Sequence, residues 1–330
     1  MTRTPTSAGE ENAMHAAVVH SFDELPRYDV REAPVARTPD EVVVDVLAAG
    51  LHPRVRSGAD GTHYTSDGTL PMVPGVDGVG RTPEGDLVYF VASDDAPGTM
   101  AEQALVDRRR AITLPVDADP VTVAAAMNPG MSSWVALRRR VDLQPGGSVL
   151  VLGATGNAGQ LAVQIARHLG ASRVIGAGRD AQRLDLVASL GADEVVSLDG
   201  DGVADRLGRV AGDVDVVVDY LWGQPTEQAM KAVLMARTDR SRPLAWVQIG
   251  SMAGSEIALP SFLLRAANLS ILGSGQGSVT TAGIVAELPA LAALVASDEL
   301  TIDALPVPLA EVERAWTTPT RPGQRLVLVP

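Results

Sequence analysis

The chain has 330 residues, of which 46% are hydrophobic and 20% are charged. This length exceeds what one ordinary core buries, so we expect a globular protein of two domains. The formal net charge of −13 disfavours nucleic acid and anionic lipid as partners, because both are themselves negative. There is no cysteine, which excludes disulfide bonds, thiolate metal ligands and a cysteine nucleophile.

The chain shows no sign of a secretory or membrane segment. The first 13 residues are polar, whereas a secretory signal has an apolar central region, so we expect 1–13 to be a flexible extension. No apolar run approaches the ~20 residues that a membrane helix needs. The basic runs at 108–110 and 138–140 are short, and we expect them to be solvated. These features predict a cytoplasmic protein.

Residues 14–127 carry the signals of short β-strands. Apolar runs at 42–47 and 87–91 are separated by glycine, proline and aspartate, a pattern typical of strands and turns. The segment 50–74 contains several glycine, histidine and serine residues. We expect this segment to be an irregular loop, and loops of this length are often functional.

Strands and helices alternate from residue 148 onward. Strands are predicted at 148–152, 173–176, 194–198, 214–219, 245–249, 269–273 and 325–329, and helices at 160–169, 181–190, 226–235 and 282–296. In the first helix the apolar residues Leu161, Ile165 and Leu169 are four positions apart, as on one face of a helix. This alternation predicts a parallel sheet with helices on both faces, which is an α/β architecture.

A glycine-rich segment joins the first of these strands to the first helix. It consists of Gly153, Ala154, Thr155, Gly156, Asn157, Ala158 and Gly159. Gly156 lets the backbone approach a pyrophosphate, and Gly159 lets the helix pack closely against the strand. The helix N-terminus adds N–H groups and a partial positive charge. Glycines alone would indicate only a tight turn, but this strand–glycine–helix context predicts a dinucleotide site.

The second strand ends at Gly178, Arg179 and Asp180. Arg179 lies 20 residues after Gly159, where an acidic residue would bind the ribose hydroxyls of NAD. An arginine there pairs instead with the 2′-phosphate of NADP, and Arg183 would share that phosphate. The alternative is that Asp180 binds the ribose and both arginines are solvated. We expect NADP, with Asp180 capping the next helix.

Four further motifs occur along the chain in a fixed order. They are Pro-Gly-Val-Asp-Gly-Val-Gly at 74–80, Gly-Thr-Met-Ala-Glu at 98–102, Asn-Pro-Gly-Met-Ser-Ser-Trp at 128–134 and Leu-Gln-Pro-Gly at 143–146. With the glycine segment they resemble the quinone oxidoreductase-like, zinc-free branch of the medium-chain dehydrogenase/reductase superfamily, over almost the whole chain from Met14. The resemblance implies a GroES-like β-rich catalytic domain (14–127 and 274–330) and a Rossmann domain with a doubly wound parallel sheet (128–273).

The resemblance also bears on metal. The catalytic zinc positions of the superfamily correspond to His52, Val76 and Asn128, and a valine side chain cannot coordinate a metal. The structural zinc of the superfamily needs four cysteines, which the chain lacks. His52 with Asp77 would give only two ligands, whereas zinc takes three or four. We therefore expect no metal site.

Without a metal, another group must supply a proton or stabilise negative charge. The resemblance to zinc-free enoyl reductases implies Tyr64 in this role, because a phenol donates a proton without being ionised at neutral pH. The alternative is that Tyr64 only shields the pocket. We expect His52, His63 and Asn128 to line the substrate pocket. The loop that contains these residues departs from the family sequence, because His52 precedes Pro53 whereas the family has asparagine before this proline.

The resemblance completes the expected cofactor site, because open α/β sheets bind ligands at the carboxyl ends of their strands. Besides the residues already named, it includes Ser132, Tyr220, Ile249, Gly250, Ser251, Gly273, Ser274 and Gly275. The implied activity is NADPH-dependent reduction of a small-molecule quinone or activated C=C bond, by an enzyme that forms a homodimer through its edge strand. Two alternatives stay open: a metal-free carbonyl reductase or alcohol dehydrogenase, and a non-enzymatic NADP-binding sensor.

Overall fold

A computed structural model describes residues 12–63, 66–93, 96–321 and 323–330. The chain divides into two compact units. Of the described residues, the first comprises those up to Asn128 together with Asp303–Thr320 and Gln324–Pro330, and the second comprises the others, from Pro129 to Ile302 with Arg321 and Gly323. None of the helices in the described ranges is long and apolar enough to cross a membrane.

The first unit is rich in β-structure, as the sequence predicts. Its strands are β1 (Ala13–Val18), β2 (Arg27–Glu32), β3 (Glu41–Gly50), β4 (Asp77–Arg81), β5 (Leu87–Val91), β6 (Gln103–Asp107), β7 (Ala111–Thr113), β14 (Asp303–Pro308) and β15 (Gln324–Val329). β1 and β2 form an antiparallel pair, while the others form a sheet in the order β14-β15-β3-β4-β5-β7, with β6 paired to β3. Alternate residues of β3 are buried, including Val42, Val44 and Val46. This period-two burial places one face of the strand on the core.

Three helices include described residues of the first unit. α1 (Pro53–Ala59) lies inside the segment that the sequence analysis treats as an irregular loop. Proline favours the first position of a helix, so Pro53 is a start signal that this interpretation missed. α2 (Pro120–Val135) begins in this unit and continues into the second, and α10 (Val312–Thr317) follows β14.

The second unit is built on a parallel sheet. Its strands are β8 (Ser148–Leu152), β9 (Arg173–Gly178), β10 (Glu194–Ser197), β11 (Val216–Asp219), β12 (Leu244–Gln248) and β13 (Leu269–Gly273), in the order β10-β9-β8-β11-β12-β13. The helices are α3 (Asn157–His168), α4 (Ala181–Ser189), α5 (Val203–Ala211), α6 (Gly223–Ala236), α7 (Leu263–Ala266), α8 (Thr281–Val285) and α9 (Leu288–Ala296). Counted within this unit the order is 3-2-1-4-5-6, the order of dinucleotide-binding folds. The predicted α/β fold class is confirmed.

Two element predictions in this unit need correction. The single helix predicted at 282–296 is two helices, because Pro289, the second residue of α9, lacks the N–H that would continue α8. α5, whose buried residues are Leu207 and Ala211, was not predicted.

Residues 274–302 fall in the second unit, although the sequence analysis assigns them to the β-rich domain. Glu287 explains this placement: its carboxylate accepts hydrogen bonds from Trp134 Nε1 at 3.0 Å and from the Nε atoms of Arg138 and Arg139, each at 2.6 Å. These two arginines are therefore ion-paired rather than merely solvated. The domain boundary lies near residue 303, because β14 pairs with β15 of the first unit.

Candidate dinucleotide site and a buried histidine cluster

The glycine segment forms a tight turn between β8 and α3. Gly153 has a φ of +87°, and its N–H and that of Ala154 both donate to the carbonyl of Ala177 at 2.9 Å. Gly156 occupies the N-cap of α3 and brings no side chain to it. A Cβ on Gly159 would strike the Gly153 carbonyl and lie 2.6 Å from Ala154 Cα. The turn therefore presents backbone and the positive end of α3, which fits a pyrophosphate.

The end of β9 lies beside this turn. A Cβ on Gly178 would meet Thr155 Oγ1 at 2.7 Å, and Arg183 Nη1 lies 3.5 Å from the Thr155 carbonyl. The Nε atom of Arg183 is buried and makes no hydrogen bond to the described residues. Asp180 caps α4 by accepting the N–H of Arg183 at 3.0 Å, so its predicted capping role is confirmed. Arg179 is exposed.

Two hydroxyl groups meet beside the glycine turn. Tyr220 directly follows β11, which pairs with β8, and its hydroxyl lies 3.0 Å from Ser132 Oγ. Ser132 Oγ donates to the Pro129 carbonyl at 2.6 Å, so the Tyr220 hydroxyl donates to Ser132. Burial raises the pKa of Tyr220 to about 12, although hydrogen bonds with Ser132 and Ser133 act in the opposite direction. The phenol is therefore protonated at neutral pH.

The strand ends next to β11 carry the remaining predicted cofactor residues. The N–H groups of Ile249 and Gly250 donate to the Asp219 carbonyl at 2.8 and 3.2 Å. Gln248 Nε2 donates to the Gly250 carbonyl at 3.0 Å, and the Gln248 carbonyl accepts the N–H of Ser274 at 2.9 Å. The structure thus connects the ends of β11, β12 and β13.

The flanking cofactor candidates are less enclosed. Ser251 is exposed. Gly273 is also exposed, and its carbonyl accepts Arg140 Nε at 2.8 Å. The N–H of Gly275 donates to Ser278 Oγ at 2.8 Å.

Sequence reasoning missed Asp219, whose side chain is fully buried at the end of β11. It accepts hydrogen bonds from the backbone of Leu221 and Trp222 and from the side chains of Thr226 and Trp246. The available signal was a carboxylate closing an otherwise apolar strand, since charged residues are almost never buried without partners.

The first unit contains a separate buried polar cluster. His52 is 3% exposed, and its Nε2 lies 3.1 Å from Asp77 Oδ1. The hydroxyl of Tyr89 donates to Asp77 Oδ2 at 2.9 Å. Burial lowers the pKa of His52, and the neighbouring Asp77 only partly opposes this effect. The histidine is therefore held neutral and oriented by a carboxylate.

The other predicted pocket residues lie on different elements. His63 follows α1, is half-buried, and donates its backbone N–H to the Ser57 carbonyl at 2.9 Å. Burial and the charge of Arg54 lower the pKa of the His63 imidazole. Asn128 is half-buried on α2. Tyr64, the predicted proton donor, lies outside the described residues.

Comparison with known proteins identifies relatives of this chain. The model of a family described as zinc-binding dehydrogenase matches residues 158–297. The chain is 32% identical to the probable NADPH-dependent quinone reductase tdiC of Emericella nidulans, over 96% of this chain and 100% of that protein. It is 29% identical to the chloroplastic NADPH-dependent alkenal/one oxidoreductase of Arabidopsis thaliana, over 55% of this chain and 50% of that protein.

A solved structure has the same architecture over nearly the whole chain. It is that of a probable oxidoreductase from Mycobacterium abscessus, with a TM-score of 0.78, 28% identity, and coverage of 96% of this chain and 99% of that one. The parallel sheet and its glycine turn define a dinucleotide-binding fold, and the relatives make the protein an oxidoreductase. The chain belongs to the medium-chain dehydrogenase/reductase superfamily, in its quinone oxidoreductase branch.

Proposed function

We propose that the protein reduces a quinone or an activated C=C bond, an enone or enal, by hydride transfer from NADPH and without a metal. That it is an NADP(H)-dependent oxidoreductase follows from its family and from its relatives, which include a quinone reductase and an alkenal/one oxidoreductase. The finer assignment is argued from the chain's own residues.

The observation that supports NADPH as the hydride donor is the arrangement at the end of β9. The Asp180 carboxylate caps α4 through Oδ1, and its Oδ2 lies 3.7 Å from Arg183 Nε, so one oxygen is committed to the backbone and the other faces a guanidinium group. Arg183 extends towards the Thr155 carbonyl with a buried Nε, and Arg179 is exposed one residue beyond β9. Two guanidinium groups beside a glycine turn suit the additional phosphate of NADPH.

Each part of the second unit would perform one task. The glycine turn and the N-terminus of α3 would hold the pyrophosphate. Tyr220 and Ser132, together with the ends of β12 and β13, would orient the nicotinamide, which supplies a hydride from its reduced ring. Reduction of a C=C bond then adds that hydride to one carbon and a proton to the other, leaving NADP⁺. We propose Tyr64, or water, as the source of this proton.

The chemistry of the chain supports a metal-free mechanism. The positions that resemble the zinc ligands hold His52, Val76 and Asn128, and only the first and third could coordinate a metal. Both Asp77 carboxylate oxygens are already hydrogen-bonded, one to His52 and one to Tyr89. Within the described ranges, no group of three or more histidine and acidic side chains is arranged to hold a metal ion.

The test is oxidation of NADPH, followed by absorbance, with five substrates. These are a benzoquinone, a phenanthrenequinone, an α,β-unsaturated ketone, an enal and a plain ketone, each repeated with NADH and with EDTA. We expect turnover of quinones or enones with NADPH, little turnover with NADH, and no effect of EDTA. Turnover of the plain ketone alone would identify a carbonyl reductase, and loss of activity in EDTA would refute the metal-free mechanism. NADPH binding without oxidation would favour a sensor.

The same assay tests the proton donor. In Tyr64→Phe we expect enone and enal reduction to fall about 100-fold or more, the usual contribution of a general acid. Quinone reduction should change little, because a reduced quinone needs less help from a protein acid. Unchanged rates with every substrate would show that Tyr64 is not the acid.

A further inference from the structure

The Asp219 carboxylate is a fully buried charge that serves four donors. Oδ1 accepts the backbone N–H groups of Leu221 at 2.8 Å and Trp222 at 3.1 Å. Oδ2 accepts Thr226 Oγ1 at 2.7 Å and Trp246 Nε1 at 2.9 Å. Thr226 lies on α6 and Trp246 on β12, so one side chain joins a loop, a helix and a neighbouring strand. Removing the carboxylate would leave these buried donors unsatisfied, which is costly.

The same residue lies at a junction between two loops. The loop after β11 (220–222) and the loop after β12 (249–254) are connected by backbone hydrogen bonds. Met252 N–H donates to the Tyr220 carbonyl at 3.2 Å, and Ala253 N–H donates to the Leu221 carbonyl at 2.7 Å. The backbones are so close that a Cβ on Gly223 would lie 2.6 Å from the Ala253 carbonyl oxygen.

Trp222 shows that the loop is held against a local preference. Its backbone has φ 52° and ψ −166°, a region that residues other than glycine rarely adopt and that persists only where the surroundings impose it. Asp219 supplies that restraint directly, through the N–H of Trp222 itself. Strain of this kind is found at sites that need a fixed geometry.

We propose that Asp219 is a positioning residue for the nicotinamide half of the cofactor site. The inference rests on the proposed function. In the sheet order, β9 lies on one side of β8 and β11 and β12 lie on the other. The arginines that would bind the 2′-phosphate follow β9. Asp219 instead fixes the loop that starts at Tyr220, whose hydroxyl meets Ser132, and its carbonyl holds Ile249 and Gly250. A change at Asp219 should therefore affect the nicotinamide half of the cofactor and leave binding of the adenosine half unchanged.

The decisive variant is Asp219→Asn, which keeps the size of the side chain. An amide has one acceptor oxygen, so at least one pair of donors faces an NH₂ group. We expect the rate of single-turnover hydride transfer to fall at least tenfold and the Kd for NADPH to rise. The Kd for adenosine 2′,5′-bisphosphate, which carries only the adenosine half, should stay within twofold of the wild-type value.

Two further comparisons separate positioning from stability. Asp215→Asn alters a carboxylate at the opposite end of β11, where Oδ2 accepts the N–H and Oγ of Ser148 at 2.9 and 2.8 Å, and it should leave hydride transfer unchanged. If Asp219→Asn does not fold, Thr226→Val removes one donor and should lower the hydride-transfer rate to a lesser degree, while Thr226→Ser restores it.

The outcomes distinguish this inference from the proposed function. A wild-type protein that binds neither NADPH nor adenosine 2′,5′-bisphosphate would refute both. If the wild type binds both ligands, two results overturn only the role of Asp219. One is wild-type hydride transfer in Asp219→Asn, or in Thr226→Val should the first variant not fold. The other is that Asp219→Asn and Asp215→Asn both weaken the binding of NADPH and of adenosine 2′,5′-bisphosphate to the same degree.

Discussion

We propose that two arginines beside the end of β9, Arg179 and Arg183, let this site distinguish NADPH from NADH. Arg183 has a buried Nε without a hydrogen-bond partner among the described residues, whereas Arg179 is exposed. A 2′-phosphate would give both guanidinium groups charge-assisted hydrogen bonds, which are stronger than neutral ones. Because water screens exposed charges, each contact is worth less than a buried pair.

We therefore predict that Arg183→Ala raises the KM for NADPH about tenfold, that Arg179→Ala raises it less, and that neither changes the KM for NADH. Steady-state kinetics with both cofactors measures this. Arg209→Ala, an exposed arginine on α5, is the control and should leave both constants unchanged. Equal losses with NADH and NADPH would show that the arginines serve the fold rather than the phosphate.

How far single residues can be assigned from sequence depends on how local their partners are. Asp180 was correctly predicted to cap α4 because its partner, the Arg183 N–H, is three residues away. Three of the donors to Asp219 lie within seven residues of it, but the fourth, Trp246, lies 27 residues further along the chain and reaches it only through the pairing of β11 with β12. The His52–Asp77 pair was considered only as a metal site, since the third member, Tyr89, comes from another strand.

At the scale of elements, the strand–turn–helix from β8 to α3 depends on two glycines for different reasons. A Cβ on Gly159 would enter the backbone of Gly153 and Ala154, whereas the nearest atom to a Cβ on Gly156 is the Gly153 carbonyl oxygen at 3.5 Å. Gly156 has an ordinary extended conformation, with φ −82° and ψ 162°, which alanine also adopts. Gly159 is needed for packing, and we propose that Gly156 is needed for binding the ligand.

We predict that Gly159→Ala lowers the free energy of unfolding by about 1–3 kcal/mol, as overpacking does. Gly156→Ala should cost less than about 1 kcal/mol, since alanine is only a poorer N-cap than glycine. It should nevertheless weaken NADPH binding at least tenfold, because the new methyl group lies where the pyrophosphate approaches. Denaturant unfolding and fluorescence titration measure the two effects. Gly156→Ala with wild-type affinity would place the pyrophosphate elsewhere.

Element predictions succeeded where hydrophobic periodicity was strong and failed where a proline determined where a helix begins. All six strands of the parallel sheet were predicted within two residues at each end, because buried parallel strands appear as apolar runs. α1 was missed although Pro53 marks its start, and one helix was predicted across the break that precedes Leu288 and Pro289. These failures arose from giving proline less weight than the surrounding composition.

At the scale of the whole molecule, assigning segments to units required contacts that no local pattern reveals. Residues 274–302 were assigned by resemblance to the β-rich domain, but Gln164 of α3 donates to the Thr301 carbonyl at 3.0 Å and accepts its N–H at 2.7 Å. The Glu287 carboxylate, in the same segment, accepts hydrogen bonds from Arg138 and Arg139. Side-chain bonds over more than a hundred residues thus decide where this boundary falls.

The expected dimer would form at the edge strand of the parallel sheet, β13. β13 pairs with β12 on one side, and on its other side no strand of the described chain follows. Ser274 N–H and the Asn268 carbonyl face β12, so by the alternation of backbone groups along a strand the N–H of Ile271 faces outward. An open edge of this kind pairs readily with a second copy.

We predict that the wild-type protein is a dimer and that Ile271→Pro makes it a monomer, because proline removes an outward N–H while leaving the pairing with β12 intact. Ile271→Ala is the matched control: it loses the same side-chain packing but retains the N–H, and it should stay dimeric. Sedimentation at micromolar concentration gives the masses. A monomeric wild type would refute the dimer. If Ile271→Pro remains a dimer, the two copies associate through another surface, and the open edge of β13 is protected in some other way.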